Sequence, residues 1–187
     1  MATGALATET TTHGELALVL HAHLPYVHSS EPGSLEEDWY FQALLECYLP
    51  LLDVLEAAAA DPNQRPRLSM GLSPTLLSLL SNRELSERFG PWLAVRQELL
   101  LQAPAGFEAA AADLAQQLSG AAAAWQRCGG NLLPRFQRLQ QAGVLDLLTC
   151  AATHGYLPLL RDCPEAVRAQ LLTAVREHQR LLGVRPQ

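Results

Sequence analysis

Apolar positions along this chain follow two rhythms, one of strands and one of helices. "ELALVLHAH" (15–23) is almost continuously apolar, as parallel strands covered on both faces are, and predicts a buried first strand. "HSSEPGS" (28–34) reads as a loop, and Ser34 with Glu37 three residues on forms a capping box. That box opens "LEEDWYFQALLECYLPLLDVLEAAAA" (35–60), where apolar residues recur at helical spacing and Pro50 predicts a kink or interruption. After the turn "DPNQRP" (61–66), "RLSMGLS" (67–73) predicts a second short strand. "SPTLLSLL" (73–80) then starts a helix with Pro74 near its first position. From 83 to 141 the pattern is helical, with breaks expected near "FGP" (89–91), "APAG" (103–106) and "CGGN" (128–131). The alanine runs there favour helix and carry no chemistry. "GVLDLLTCAATHGYLPLL" (143–160) is a third apolar run, ending in histidine and then proline. "PEAVRAQLLTAVREHQRLLG" (164–183) predicts a last helix, with Pro164 at its start and Gly183 just past its end.

The order β-α-β-α-α-β-α implies an α/β fold, a parallel sheet with right-handed helical crossovers. In such sheets ligands bind at the carboxyl ends of the strands. Residues 1–13 are Thr-rich and predict a disordered tail, which leaves 14–187 as one domain of sufficient length for one core. No internal repeat is present.

Composition narrows the function classes. The formal net charge is −6, and all 13 basic residues are arginines. An acidic chain without a basic patch excludes a nucleic-acid backbone as partner. No apolar run approaches the ~20 residues of a membrane span. The N-terminus lacks a charged segment followed by an apolar one, so no signal peptide is indicated. Cys47, Cys128, Cys150 and Cys163 show no CxxC spacing and read as reduced thiols of a cytoplasmic protein.

Histidine is the residue that stands out. Three of the six, His21, His23 and His28, crowd into "LVLHAHLPYVH" (18–28), where a strand should stop. His21 and His23 are two apart on a strand and so share one face. His154 is expected to end the third strand and to converge on the same mouth. Imidazoles there can bind a metal, hold sugar hydroxyls or pair with carboxylates, or act as satisfied core and capping groups. A zinc site needs three or four protein ligands, and no carboxylate or thiolate converges on these histidines. No metal or cofactor is therefore expected. A metal-dependent hydrolase using the HxH pair is the competing enzyme class, and it would need a carboxylate ligand at a strand end. Glu36, Glu37 and Asp38 fall in the first turn of a helix, where acids complement the dipole. Asp146 opens the third strand; along a fully extended chain it would lie about 26 Å from the histidine mouth.

The longer blocks carry a resemblance. "GELALVLHAHLPYV" with "LEEDWYFQALLECYLPLL", and later "LLTCAATHGYLPLL", resemble the N-terminal half of the α-glucan branching enzymes of glycoside hydrolase family 57. The likeness runs from about Gly14 to the end of the chain, the middle matching only in helical character. His28 is a departure, standing where the family often carries arginine. The resemblance implies the N-terminal portion of an incomplete (β/α)7 barrel and a retaining reaction, in which a Glu attacks the sugar carbon and an Asp serves as acid and base. It implies that His21, His23 and His154 line the site around the reacting sugar, with Trp39 offering a stacking face and Tyr156 nearby. Retaining chemistry needs two carboxyls roughly 5–5.5 Å apart. In the family the nucleophile follows the next strand, in a "WLPE"-like motif, and the resemblance places "LLGVRPQ" just before it. No residue here is assigned as catalytic. The expectations are a partner α-glucan and either a fragment, one half of a split enzyme completed by another polypeptide, or a non-catalytic glucan-binding module.

Overall fold

A computed structural model describes residues 16–29, 31–61 and 66–186. The predicted tail 1–13 and most of the turn at 61–66 lie outside the described residues. Strand β1 (Val19–Ala22), β2 (Leu68–Leu72) and β3 (Leu145–Leu148) form a parallel sheet in the order β1-β2-β3. Each strand therefore lies beside the next in the chain, as helical crossovers require.

The first crossover is one long helical path: α1 (Leu35–Ala43), a π turn (Leu44–Tyr48) and α2 (Leu49–Ala60). The π turn is the interruption expected at Pro50. Leu49 N–H bonds back to Leu44 C=O, and Pro50, which has no N–H to give, falls at the start of α2, where none is required. Ser34 caps α1 through its side chain, accepting from Glu37 N–H at 3.2 Å. The return half of the predicted box goes elsewhere: the Glu37 carboxylate accepts from Gly33 and Ser29 N–H, each at 3.4 Å.

Between β2 and β3 run α3 (Pro74–Leu80), α4 (Arg83–Leu100), α5 (Glu108–Arg127) and α6 (Leu133–Gln141). The breaks near "APAG" and "CGGN" are present, but the one at "FGP" is not: α4 runs through Gly90 and Pro91. Leu85, Phe89 and Leu93 form a buried stripe spanning Pro91 on both sides, with Phe89 against Phe41, Trp92 and Trp125. That shared burial outweighs one missing helical hydrogen bond. A 3₁₀ turn (Leu157–Leu160) and α7 (Pro164–Leu182) follow β3, and α7 ends on Gly183 at φ 78°, the left-handed stop predicted for it.

The helices cover one face of the sheet. Ala22, Met70, Leu72, Leu145 and Leu147 are buried beneath them. The other face carries the in-register rows Val19, Ser69, Asp146 and His21, Gly71, Leu148, none of them buried. This corrects the reading of β1 as buried on both faces. Four-residue strands are too short for a period of two to show when Val19 and Leu148, on the open face, are themselves apolar.

Candidate functional site

The three histidines meet at the carboxyl ends of the strands, above the open face. The ring centroids of His23 and His154 are 3.9 Å apart, those of His21 and His154 4.9 Å, and those of His21 and His23 6.4 Å. The rings are near-parallel, with interplanar angles of 20–26°.

Each arrives by a different route. His21 is the third residue of β1 and pairs in register with Gly71 of β2. His23 lies one residue past β1, beside the start of α3. His154 is not on a strand: β3 stops at Leu148, six residues earlier, and a turn closed by His154 N–H to Ala151 C=O at 2.8 Å carries the ring back. His154 sits at φ 56°, the one non-glycine residue in the left-handed region among the described residues. Such a conformation costs an L-residue about 1–2 kcal/mol and gathers at functional sites.

Electrostatics disfavour a positive charge on His23. The His23 imidazole is held below the ordinary histidine range, first by burial and then by the neighbouring His154 and His21 rings, each of which opposes a second positive charge. Its Nδ1 lies 2.9 Å from Ser73 Oγ and 3.3 Å from Thr75 Oγ1. His154 Nδ1 lies 3.4 Å from Cys150 Sγ, so a cysteine does approach the cluster, against the expectation from sequence; burial pushes its thiol up and keeps it uncharged. Gly71, Ser73, Thr75 and Cys150 escape a search for chemistry-bearing spacings, because glycines and hydroxyls at a strand-to-helix junction read as turn and cap. The available signal was the place of "GLSPT" (71–75), ending the strand beside the HxH strand.

The other expected residues are distributed around this centre. Tyr156 is 70 % exposed and lines an open cleft of about 490 Å³ with Cys150, His154 and Leu171. Trp39, on α1, is 49 % exposed and makes no ring contact with the histidines among the described residues. His28 is turned away to Glu84, with Nε2 3.0 Å from Oε2.

Glu37 and Asp38 are structural. The Glu37 carboxylate, 1 % exposed, is paired with Arg88 of α4. Asp38 accepts from Trp92 Nε1 at 2.7 Å and pairs with Arg96, which stacks over the Trp92 ring. Together they line a cleft of about 610 Å³ whose carboxylates are already neutralised. Asp146 stands on the open face, in the row of Val19 and Ser69. Four residues of strand separate that row from His23, about 13 Å. The distance is half the extended-chain figure because the chain turns after Leu148, yet it still places Asp146 toward the amino end. Among the described residues no group of three or more His, Cys, Asp or Glu side chains is arranged to hold a metal ion. No described helix is long and apolar enough to cross a membrane.

Comparison with known proteins settles the family. The model of glycosyl hydrolase family 57 matches residues 17–187. The chain belongs to that family. A 1,4-alpha-glucan branching enzyme of Thermococcus kodakarensis is 30 % identical over 177 residues, 92 % of this chain and 26 % of its own length. The same enzyme, solved in complex with glucose, superposes with a TM-score of 0.84 over 92 % of this chain and 32 % of its own. An alpha-amylase of Thermotoga maritima is 31 % identical with a TM-score of 0.85, covering 92 % of this chain and 34 % of its own. A branching enzyme of Pyrococcus horikoshii is 31 % identical with a TM-score of 0.84, covering 92 % and 33 %. The chain thus spans about a quarter to a third of the length of these relatives. Its sheet is the N-terminal portion of the (β/α)7 barrel of family 57 enzymes. The open face, which none of the described helices covers, is the face such a barrel turns inward.

Proposed function

We propose that this chain, with 14–187 as one unit, forms the histidine-lined wall of an α-glucan site for retaining glycosyl transfer of the branching-enzyme type. The observation that carries the reading is the imidazole cluster on the inward face, at the carboxyl ends of the first three barrel strands. Imidazole nitrogens can donate to or accept from hydroxyls, which suits the hydroxyls of a sugar ring. Tyr156 extends this wall, and Trp39 offers an exposed face on which a glucose unit can stack. The four free cysteines suit the reducing environment of the cytoplasm.

Positioning is not the whole reaction. A retaining mechanism requires a carboxylate nucleophile and a paired acid roughly 5–5.5 Å away. On the inward face of the described strands Asp146 is the one carboxylate, and it lies toward the amino end. The nucleophile and acid come, in this reading, from strands beyond β3, whether on the same or a separate polypeptide. The test incubates the 187-residue chain with amylose and follows new reducing ends and new branch points, then repeats this with a polypeptide supplying the remaining strands. The expected result is no turnover in the first mixture and branching in the second. Turnover by the chain alone would overturn the division of labour.

A further inference from the structure

The hydroxyl pair beneath His23 dictates more than the ring's position. Thr75 Oγ1 lies 2.9 Å from the carbonyl oxygen of Leu24, which can only accept, so the Thr75 proton is committed to that bond. Thr75 Oγ1 is then an acceptor toward its two other neighbours, Ser73 Oγ at 3.0 Å and His23 Nδ1 at 3.3 Å. Ser73 Oγ in turn accepts Leu76 N–H at 3.2 Å as the cap of α3. Its single proton has two destinations, Thr75 Oγ1 or His23 Nδ1.

If that proton went to His23 Nδ1, the contacts of Thr75 Oγ1 with Ser73 and with His23 would both place lone pair against lone pair. If it goes to Thr75, His23 Nδ1–H donates to Ser73 Oγ at 2.9 Å and toward Thr75 Oγ1, and every short contact holds a proton. Ser73 is fully buried, so solvent does not relieve the lone-pair contacts of the first arrangement.

We infer that the Ser73–Thr75 pair locks His23 as the tautomer protonated on Nδ1, leaving Nε2 on the opposite edge of the ring as a hydrogen-bond acceptor. Ser73 and Thr75 are positioning residues: they set which proton His23 presents without touching the ligand. His23 then receives a hydrogen bond from a sugar hydroxyl and does not donate one. This last step rests on the glucan reading above; the tautomer does not.

The experiment labels the histidines of the 187-residue chain with ¹⁵N and reads each ring by long-range proton–nitrogen correlation. In the unaltered chain His23 is expected to show protonated Nδ1 and bare Nε2. Thr75→Val keeps the shape and removes the acceptor. The Ser73 proton should then turn to Nδ1, and the pattern should switch to protonated Nε2. Thr75→Ser restores the hydroxyl and should restore the first pattern. Protonated Nε2 in the unaltered chain, or an unchanged pattern in Thr75→Val, overturns the inference. Maltoheptaose is then titrated in. A shift at His23 Nε2, with affinity about tenfold weaker in Thr75→Val, supports the acceptor role. No shift in a chain that shows the expected tautomer counts against the glucan reading and leaves the lock standing.

Discussion

A Cβ atom on Gly71 would sit 3.1 Å from Nδ1 of His21, so this position of β2 is kept bare for the imidazole on the neighbouring strand. His21 is exposed and free to give by a few tenths of an ångström. Gly71→Ala should therefore fold normally, and gain about 0.5 kcal/mol because glycine is unfavourable inside a strand. The displaced ring should nevertheless weaken glucan binding about tenfold. Urea melts and calorimetric titration with maltoheptaose read the two effects separately.

His154→Asn and His154→Ala should part company. Both remove the imidazole and should lose the glucan contact. Asparagine tolerates the left-handed backbone that His154 adopts at φ 56°, so its stability should stay within about 0.5 kcal/mol of the native chain. Alanine has no such local compensation and should lose about 1 kcal/mol. The difference in urea midpoints checks this.

His178 of α7 is 0 % exposed, and neither ring nitrogen has a partner. Burial holds its imidazole below the ordinary histidine range. The unfolded chain then binds a proton, at about pH 6.5 and below, that the folded ring refuses. Stability should be level at higher pH and fall as pH drops from about 6.5 toward the lowered folded value. His178→Leu should gain about 1 kcal/mol at neutral pH, since no unpaired polar atom is left buried. It should also flatten the acid slope relative to the native chain. Urea melts from pH 5 to 8 provide the comparison.

Arg88 should matter more through Glu37 than through its own bonds. Among the described residues, Arg88→Met leaves a carboxylate that is 1 % exposed with the two long backbone bonds from Ser29 and Gly33. The expected loss is about 3 kcal/mol. The double variant Arg88→Met, Glu37→Met should recover most of it, because no buried charge is then left without its counter-charge. A double-mutant cycle measures the coupling.

What the sequence made legible follows from where its signals are strong. Strands and helices were readable because Pro74, Pro164 and Gly183 punctuate them, and Ser34 and Ser73 cap helices as their positions suggest. Pro91 misled, because a proline's local preference says nothing of Leu85, Phe89 and Leu93 packing on both sides of it. His154 was expected at the end of a strand. Nothing in a continuous apolar run marks where ladder bonds stop, and β3 stops at Leu148. The meeting of His21, His23 and His154 could be foreseen from strand ends alone. The Ser73–Thr75 pair could not, since its meaning lies in three distances to atoms of His23 and Leu24, 50 to 52 residues away in the chain.

The order of the sheet also bears on synthesis. Because β1, β2 and β3 are neighbours in chain order, no later segment has to be inserted between earlier ones. Each crossover can dock on the strand already in place as it leaves the ribosome, at about 5–20 residues per second. Any further strand can join only at the outer edge of β1 or β3. The histidine wall can therefore assemble vectorially, with His21 and His23 waiting for His154 to emerge and close the cluster.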